Sequence, residues 1–163
     1  MSNPSVLIRK ILPEDNTAIE TIIRNVFPEF NLPLTGTAYA DAETPKMFES
    51  YQGKKEVYFV IEIDGVVCGG AGIKPLNGYE ASVCELQKMY YKPEIRGKGY
   101  GKLLFDQCLS AAKTMGYQKC YLETASQLKA AIQLYEKFGF THLDKPLGNT
   151  GHFSCGIWMI KEL

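Results

Sequence analysis

The stretch RGKGYGKLLF, Arg96 to Phe105, limits what this chain can become more than any other. An apolar strand pattern, ASVCELQKMYYKP, precedes it. A helical pattern follows, with Leu104, Cys108, Ala111 and Met115 on one face and Gly116 as its stop. Strand, glycine turn and helix together aim backbone N–H groups and the positive end of a helix at an anion. Glycines let consecutive N–H groups point inward with no Cβ in the way. Lys98 and Lys102 add positive charge without a metal.

Two familiar phosphate motifs fail here. A P-loop needs G-x-x-x-x-G-K-[ST], but Arg96 stands where the first glycine belongs and Leu103 where the hydroxyl belongs. The dinucleotide fingerprint G-x-G-x-x-G also fails, because its last position falls on Lys102 or Leu104. What remains is Arg-x-x-Gly-x-Gly, a cradle that suits a diphosphate used as a handle. The plain alternative is a strand–helix turn with no ligand.

The rest of the chain sets this turn in an α/β (α+β) domain. VLIRKI reads as a strand. Pro13 opens a helix whose apolar face is Ile19, Ile22, Ile23 and Val26, and Pro28 closes it. Residues 29–56 are irregular, with short helices broken at Pro45 and room for a substrate-binding flap. Val57–Ile63 and Val66–Ile73 flank the turn pair Asp64-Gly65 as a hairpin. YQKCYLET is a strand, LKAAIQLYEKFG a helix, and FTHLDKP and HFSCGIWMIKEL two last strands. Strands alternate with helices only in the second half. The expectation is therefore a mixed, mostly antiparallel sheet of about seven strands flanked by about four helices.

The 163 residues suit one domain spanning 1–163. Lys plus Arg equals Asp plus Glu at 18 each, which leaves no net field toward nucleic acid or a membrane surface. No signal peptide or membrane span is legible. Cys68, Cys84, Cys108, Cys120 and Cys155 form no C-x-x-C pair and are odd in number. They read as buried thiols in a reducing cytoplasm, and no metal is expected.

The segments LQKMYYKPEIRGKGYGKLLF and AAIQLYEKFGF together resemble the GCN5-related N-acetyltransferases (GNAT), over most of the chain from Val6 onward and most strongly from Leu86 to Phe140. The resemblance implies an acyl-CoA N-acyltransferase fold and direct transfer of acetyl from acetyl-CoA to a primary amine of a small molecule or exposed peptide. It implies a pyrophosphate site at Arg96, Gly97, Lys98, Gly99, Tyr100, Gly101 and Lys102. The preceding strand end, Met89, Tyr90 and Tyr91, would pair with the pantetheine arm, and a backbone N–H there would polarise the thioester carbonyl. Tyr135 of LYEKFGF would protonate the leaving thiolate, although it also shares an apolar stripe with Leu128 and Ile132. Many relatives carry an asparagine seven residues before that tyrosine. Here the position is Leu128, so the polar contact is absent or moves to Thr124, Ser126 or Gln127.

The amine must also lose a proton. Holding a lysine-like amine neutral at pH 7 costs about 4–5 kcal/mol, which a carboxylate base can help to offset. Glu85, inside an apolar strand pattern, is one candidate base, and Glu123, ending the strand YLET, is the other. His142 reads as structural. His152 reads as a surface histidine or a substrate contact. The acceptor pocket should be shaped by residues 29–56, with Glu29, Asp41, Glu43 and Glu49, and by residues 144–152, with Asp144 and His152. A non-catalytic acyl-CoA sensor on the same fold is the alternative. Nothing in the sequence separates monomer from homodimer.

Overall fold

The computed structural model describes residues 2–163. Seven strands form one sheet: β1 (Val6–Lys10), β2 (Val57–Ile63), β3 (Val66–Pro75), β4 (Val83–Tyr91), β5 (Lys119–Thr124), β6 (Thr141–Leu143) and β7 (Ile157–Glu162). Their spatial order is β1-β2-β3-β4-β5-β7-β6. All neighbours are antiparallel except β4 and β5. The helices are α1 (Asn16–Glu29), α2 (Tyr100–Thr114) and α3 (Lys129–Lys137).

The β2–β3 hairpin forms where Asp64-Gly65 predicts it. Both residues are left-handed, with φ of 50° and 81°, which matches the twist of the flanking strands. Alternation along β2 then sorts the core. Val57, Phe59 and Ile61 face the cluster that contains Leu104, Phe105 and Cys108 of α2, together with Tyr135 of α3. Tyr58 and Val60 face Ile19, Ile23, Val26 and Phe27 of α1. Helix α1 thus covers one side of the sheet, and α2 and α3 the other.

Four local expectations shift. Helix α1 begins after a 3-10 turn, Pro13–Asp15, and continues through Pro28 to Glu29. The proline is tolerated because it lies in the last turn, and the N–H of Phe30 still reaches the carbonyl of Val26 at 3.1 Å. The buried stripe of α2 is Leu104, Phe105, Cys108, Leu109 and Ala112, so Ala111 and Met115 lie at its margin. Residues 29–56 contain short 3-10 turns, Ala38–Ala40, Thr44–Lys46 and Glu49–Tyr51, and Pro45 lies inside the second rather than breaking a helix. The last strand is also shorter than expected. Residues 152–156 form an irregular approach to β7.

Asp15 anchors the first crossing. Its buried carboxylate accepts hydrogen bonds from Arg9 Nη1 (2.7 Å), Arg9 Nη2 (3.1 Å) and the N–H of Leu12 (2.7 Å). Asp15→Ala leaves that N–H unpaired and one side of the guanidinium unmatched. We expect a loss of about 2 kcal/mol in urea-unfolding stability.

Candidate active site

The sheet opens where β4 and β5 part. They pair only from Val83 to Glu85 and from Lys119 to Tyr121. Beyond these rungs β4 stays with β3, and β5 stays with β7. A bulge sharpens the divergence. Gly70 faces Tyr90 and Gly72 faces Gln87, so Lys88 and Met89 stand opposite the single residue Ala71. Lys88 takes a left-handed φ of 49°, and its carbonyl accepts a hydrogen bond from the Tyr58 hydroxyl at 2.8 Å. The resulting cleft is a cavity of about 500 Å³, reaching from the glycine turn past Tyr135 to His152.

The glycine turn closes one end. Gly97 and Gly99 are left-handed, with φ of 72° and 85°. A Cβ at either would meet nothing within 4 Å, so backbone conformation requires the glycines and leaves open space above them. Gly99 is the residue before α2, which directs the free N–H groups of the first helical turn into the same space. Arg96, Gly97, Gly99, Gly101 and Lys102 line the cavity, while Lys98 and Tyr100 do not. Arg96 is already engaged. Its guanidinium pairs with Glu29 and donates to the Tyr91 carbonyl at 2.7 Å. It braces the turn against the end of α1.

The other end is acidic and largely paired. Glu85 is buried, and Gln87 Nε2 donates to its Oε1 at 2.6 Å. Burial pushes the Glu85 carboxyl up to about 7; the Gln87 hydrogen bond opposes this and the charge of Glu123 adds to it. Glu123 accepts from the Tyr121 hydroxyl at 2.6 Å and the Thr150 hydroxyl at 2.7 Å. Tyr135 is buried, and its hydroxyl points to the thioether of Met89 at 3.9 Å. Burial raises its pKa above the ordinary tyrosine value, so it keeps its proton at neutral pH.

His152 lies in the cavity wall, with Nε2 at 2.8 Å from Asp41 Oδ2. Burial works against its charge, but hydrogen bonds to Asp41 and Cys155 outweigh burial and raise it to about 10. Lys88, also buried, pairs with Asp41 at 3.0 Å and Glu43 at 3.3 Å, and Lys74 pairs with Glu43 at 2.8 Å. These bonds fasten residues 38–44 to the β4 bulge and the loop before β7. His142 sits outside the cavity, exposed, 3.2 Å from Glu136.

Met89, Tyr90, Tyr91 and Thr124 line the cleft, with Thr124 buried. Ser126 and Gln127 are exposed and bonded to each other at 3.2 Å. At the expected asparagine position Leu128 offers the cavity an aliphatic side chain. Gln87, Thr150, Tyr121 and Cys155 escaped sequence reasoning. Gln87 alternates with Glu85 along one strand face, which was a usable signal, whereas no local pattern marked Cys155.

Comparison with known proteins settles the family. Residues 19–140 match the Acetyltransferase (GNAT) family. The chain belongs to this family of acetyltransferases. It is 44% identical over 160 residues to the uncharacterized N-acetyltransferase YjgM of Escherichia coli K12, covering 98% of this chain and 96% of that protein. The acetyltransferase also shares its fold with a GNAT protein of Staphylococcus aureus Mu50 at TM-score 0.84 and 16% identity, covering 97% and 99% of the two chains. A second structural relative is yncA of Salmonella typhimurium, solved with acetyl-CoA. It superposes at TM-score 0.77 and 21% identity, covering 96% of this chain and 93% of that one. In this acetyltransferase, no helix among the described residues is long and apolar enough to cross a membrane.

Proposed function

We propose that this chain transfers acetyl from acetyl-CoA to a primary amine, with Glu85 as the base and Tyr135 as the acid. The carrying observation is the cleft itself. One cavity joins a glycine turn at a helix N-terminus, a strand edge that β5 leaves, a buried carboxyl and a proton-bearing phenol. The pyrophosphate would lie on Gly97 to Lys102. The pantetheine amides would take the β4 groups that β5 abandons, as an added strand does. The acetyl carbonyl would meet a backbone N–H at the bulge.

The residues divide the proton work. Glu85, held near the operating pH, takes a proton from the incoming ammonium directly or through water. Glu123, fixed by two hydroxyls, offers a counter-charge to that ammonium. The nitrogen lone pair attacks the thioester carbon, the C–S bond breaks, and Tyr135 donates its proton to the CoA sulfur. The sulfur of Met89 is a weak acceptor that the CoA sulfur would replace. His152, held protonated by Asp41, shapes the acceptor wall and does not serve as a base. A buried carboxyl tuned this way argues against a mere acyl-CoA sensor.

Calorimetry tests the donor. Acetyl-CoA should bind saturably without Mg²⁺, and absence of binding would sink the proposal. Gly99→Ala should weaken that binding about tenfold, since a left-handed alanine costs about 1–2 kcal/mol and its methyl intrudes on the cradle. Thiol release across a panel of polyamines, amino acids, aminoglycosides and peptides would identify the acceptor.

A further inference from the structure

The acceptor end of the cleft gathers three donor atoms that acetyl transfer does not require together. A Glu123 carboxylate oxygen, a His152 ring nitrogen and the Cys155 thiol all lie within 4.8 Å of one another, each residue partly buried. They come from the end of β5 and from the loop before β7, and all three line the cavity. Nitrogen, thiolate and carboxylate oxygen are a ligand set for zinc, whose fourth position would face the open cavity.

The surroundings suit a cation better than the three ligands alone would suggest. Asp41 holds His152 through Nε2, which leaves Nδ1 as the second ring nitrogen. A carboxylate behind a histidine fixes the tautomer and orientation that metal binding needs. Tyr121 and Thr150 fix Glu123 in the same manner. Zinc bonds of about 2.0–2.3 Å set ligand atoms about 3.5 Å apart, so a pair at the outer 4.8 Å limit must close by about 1 Å. Gly151 and Gly156, left-handed at φ 79° and 88° with nothing packed where a Cβ would be, bracket the two loop ligands and permit that movement.

We propose that Glu123, His152 and Cys155 bind one thiophilic divalent cation of the zinc class, and that the bound cation blocks the acceptor pocket. It would act as an inhibitor and not as a cofactor of transfer. The blocking half rests on the function proposed above; the binding half does not.

Cobalt(II) is the probe for binding, because a thiolate ligand adds a charge-transfer absorption that needs no acetylation assay. The full chain should take up one Co²⁺ with that band, and Zn²⁺ should displace it. Cys155→Ser should abolish the band. Asp41→Asn should weaken binding about 10–100-fold, as loss of a carboxylate behind a ligating histidine does. Should Cys155→Ser fail to fold, His152→Gln supplies the same check through weakened binding. Absence of the band, or its survival in Cys155→Ser, overturns the site. Zn²⁺ should then inhibit thiol release by the native chain and spare Cys155→Ser. Binding without inhibition overturns the blocking role. A chain that binds Co²⁺ but acetylates no amine leaves the site standing and refutes the function instead.

Discussion

Tyr135→Phe should lower turnover about 10²–10⁴-fold while leaving acetyl-CoA affinity essentially unchanged. The separation follows from where the hydroxyl sits. The ring packs against Phe105 and Phe140, with centroids 5.8 and 6.0 Å away, and phenylalanine keeps both contacts. The hydroxyl itself gives up only a long contact to the Met89 thioether, so the fold loses little. Kinetics by thiol release and affinity by calorimetry check the two halves separately. Unchanged turnover would remove the acid role. Equal losses in turnover and affinity would assign Tyr135 to donor binding.

Glu85→Gln should produce opposite signs in two measurements. The native rate should rise with pH through about 7, as the buried carboxyl loses its proton and becomes a base. The variant should lose about 10²–10⁴-fold at pH 8 and lose that limb of the profile. Stability should move the other way. The folded pKa lies above the ordinary value of 4.5, so the folded state holds a proton that the unfolded chain has released. The native protein is therefore relatively most stable below about 4.5 and loses stability as pH rises toward 7. The glutamine, which cannot ionise, escapes that loss and should be up to about 3 kcal/mol more stable at pH 8, with no advantage at pH 4. Urea unfolding at the two pH values measures this. A variant both slower and less stable at pH 8 would mean that Glu85 is structural.

Much of this frame was legible because it rests on local chemistry. Asp64-Gly65 between two apolar runs could form little but a hairpin. The failure of Arg96 and Leu103 to fit nucleotide motifs, together with LYEKFGF downstream, directed the reading toward the acetyltransferases. Glu85 was detectable as an acidic residue in an apolar strand, and burial accounts for it. The acceptor side resisted reading because its contacts are long-range. Asp41 meets His152 across 111 positions, and Glu123 meets Thr150 across 27. No spacing rule joins such pairs. Arg96 adds a contact of the same long-range kind: it lines the cleft, and its guanidinium reaches Glu29 and the Tyr91 carbonyl, pairings its motif did not announce.

The distance between the glycine turn and Tyr135 carries a kinetic consequence. The turn and the unpaired edge of β4 would grip parts of the donor that the reaction leaves untouched. Acetyl-CoA and spent CoA would present them the same diphosphate and the same amide arm. That grip therefore stabilises substrate, transition state and product alike and cannot itself speed the chemistry. Accumulating CoA should compete with fresh acetyl-CoA, and departure of the thiol product becomes a natural bottleneck once the acyl step is fast.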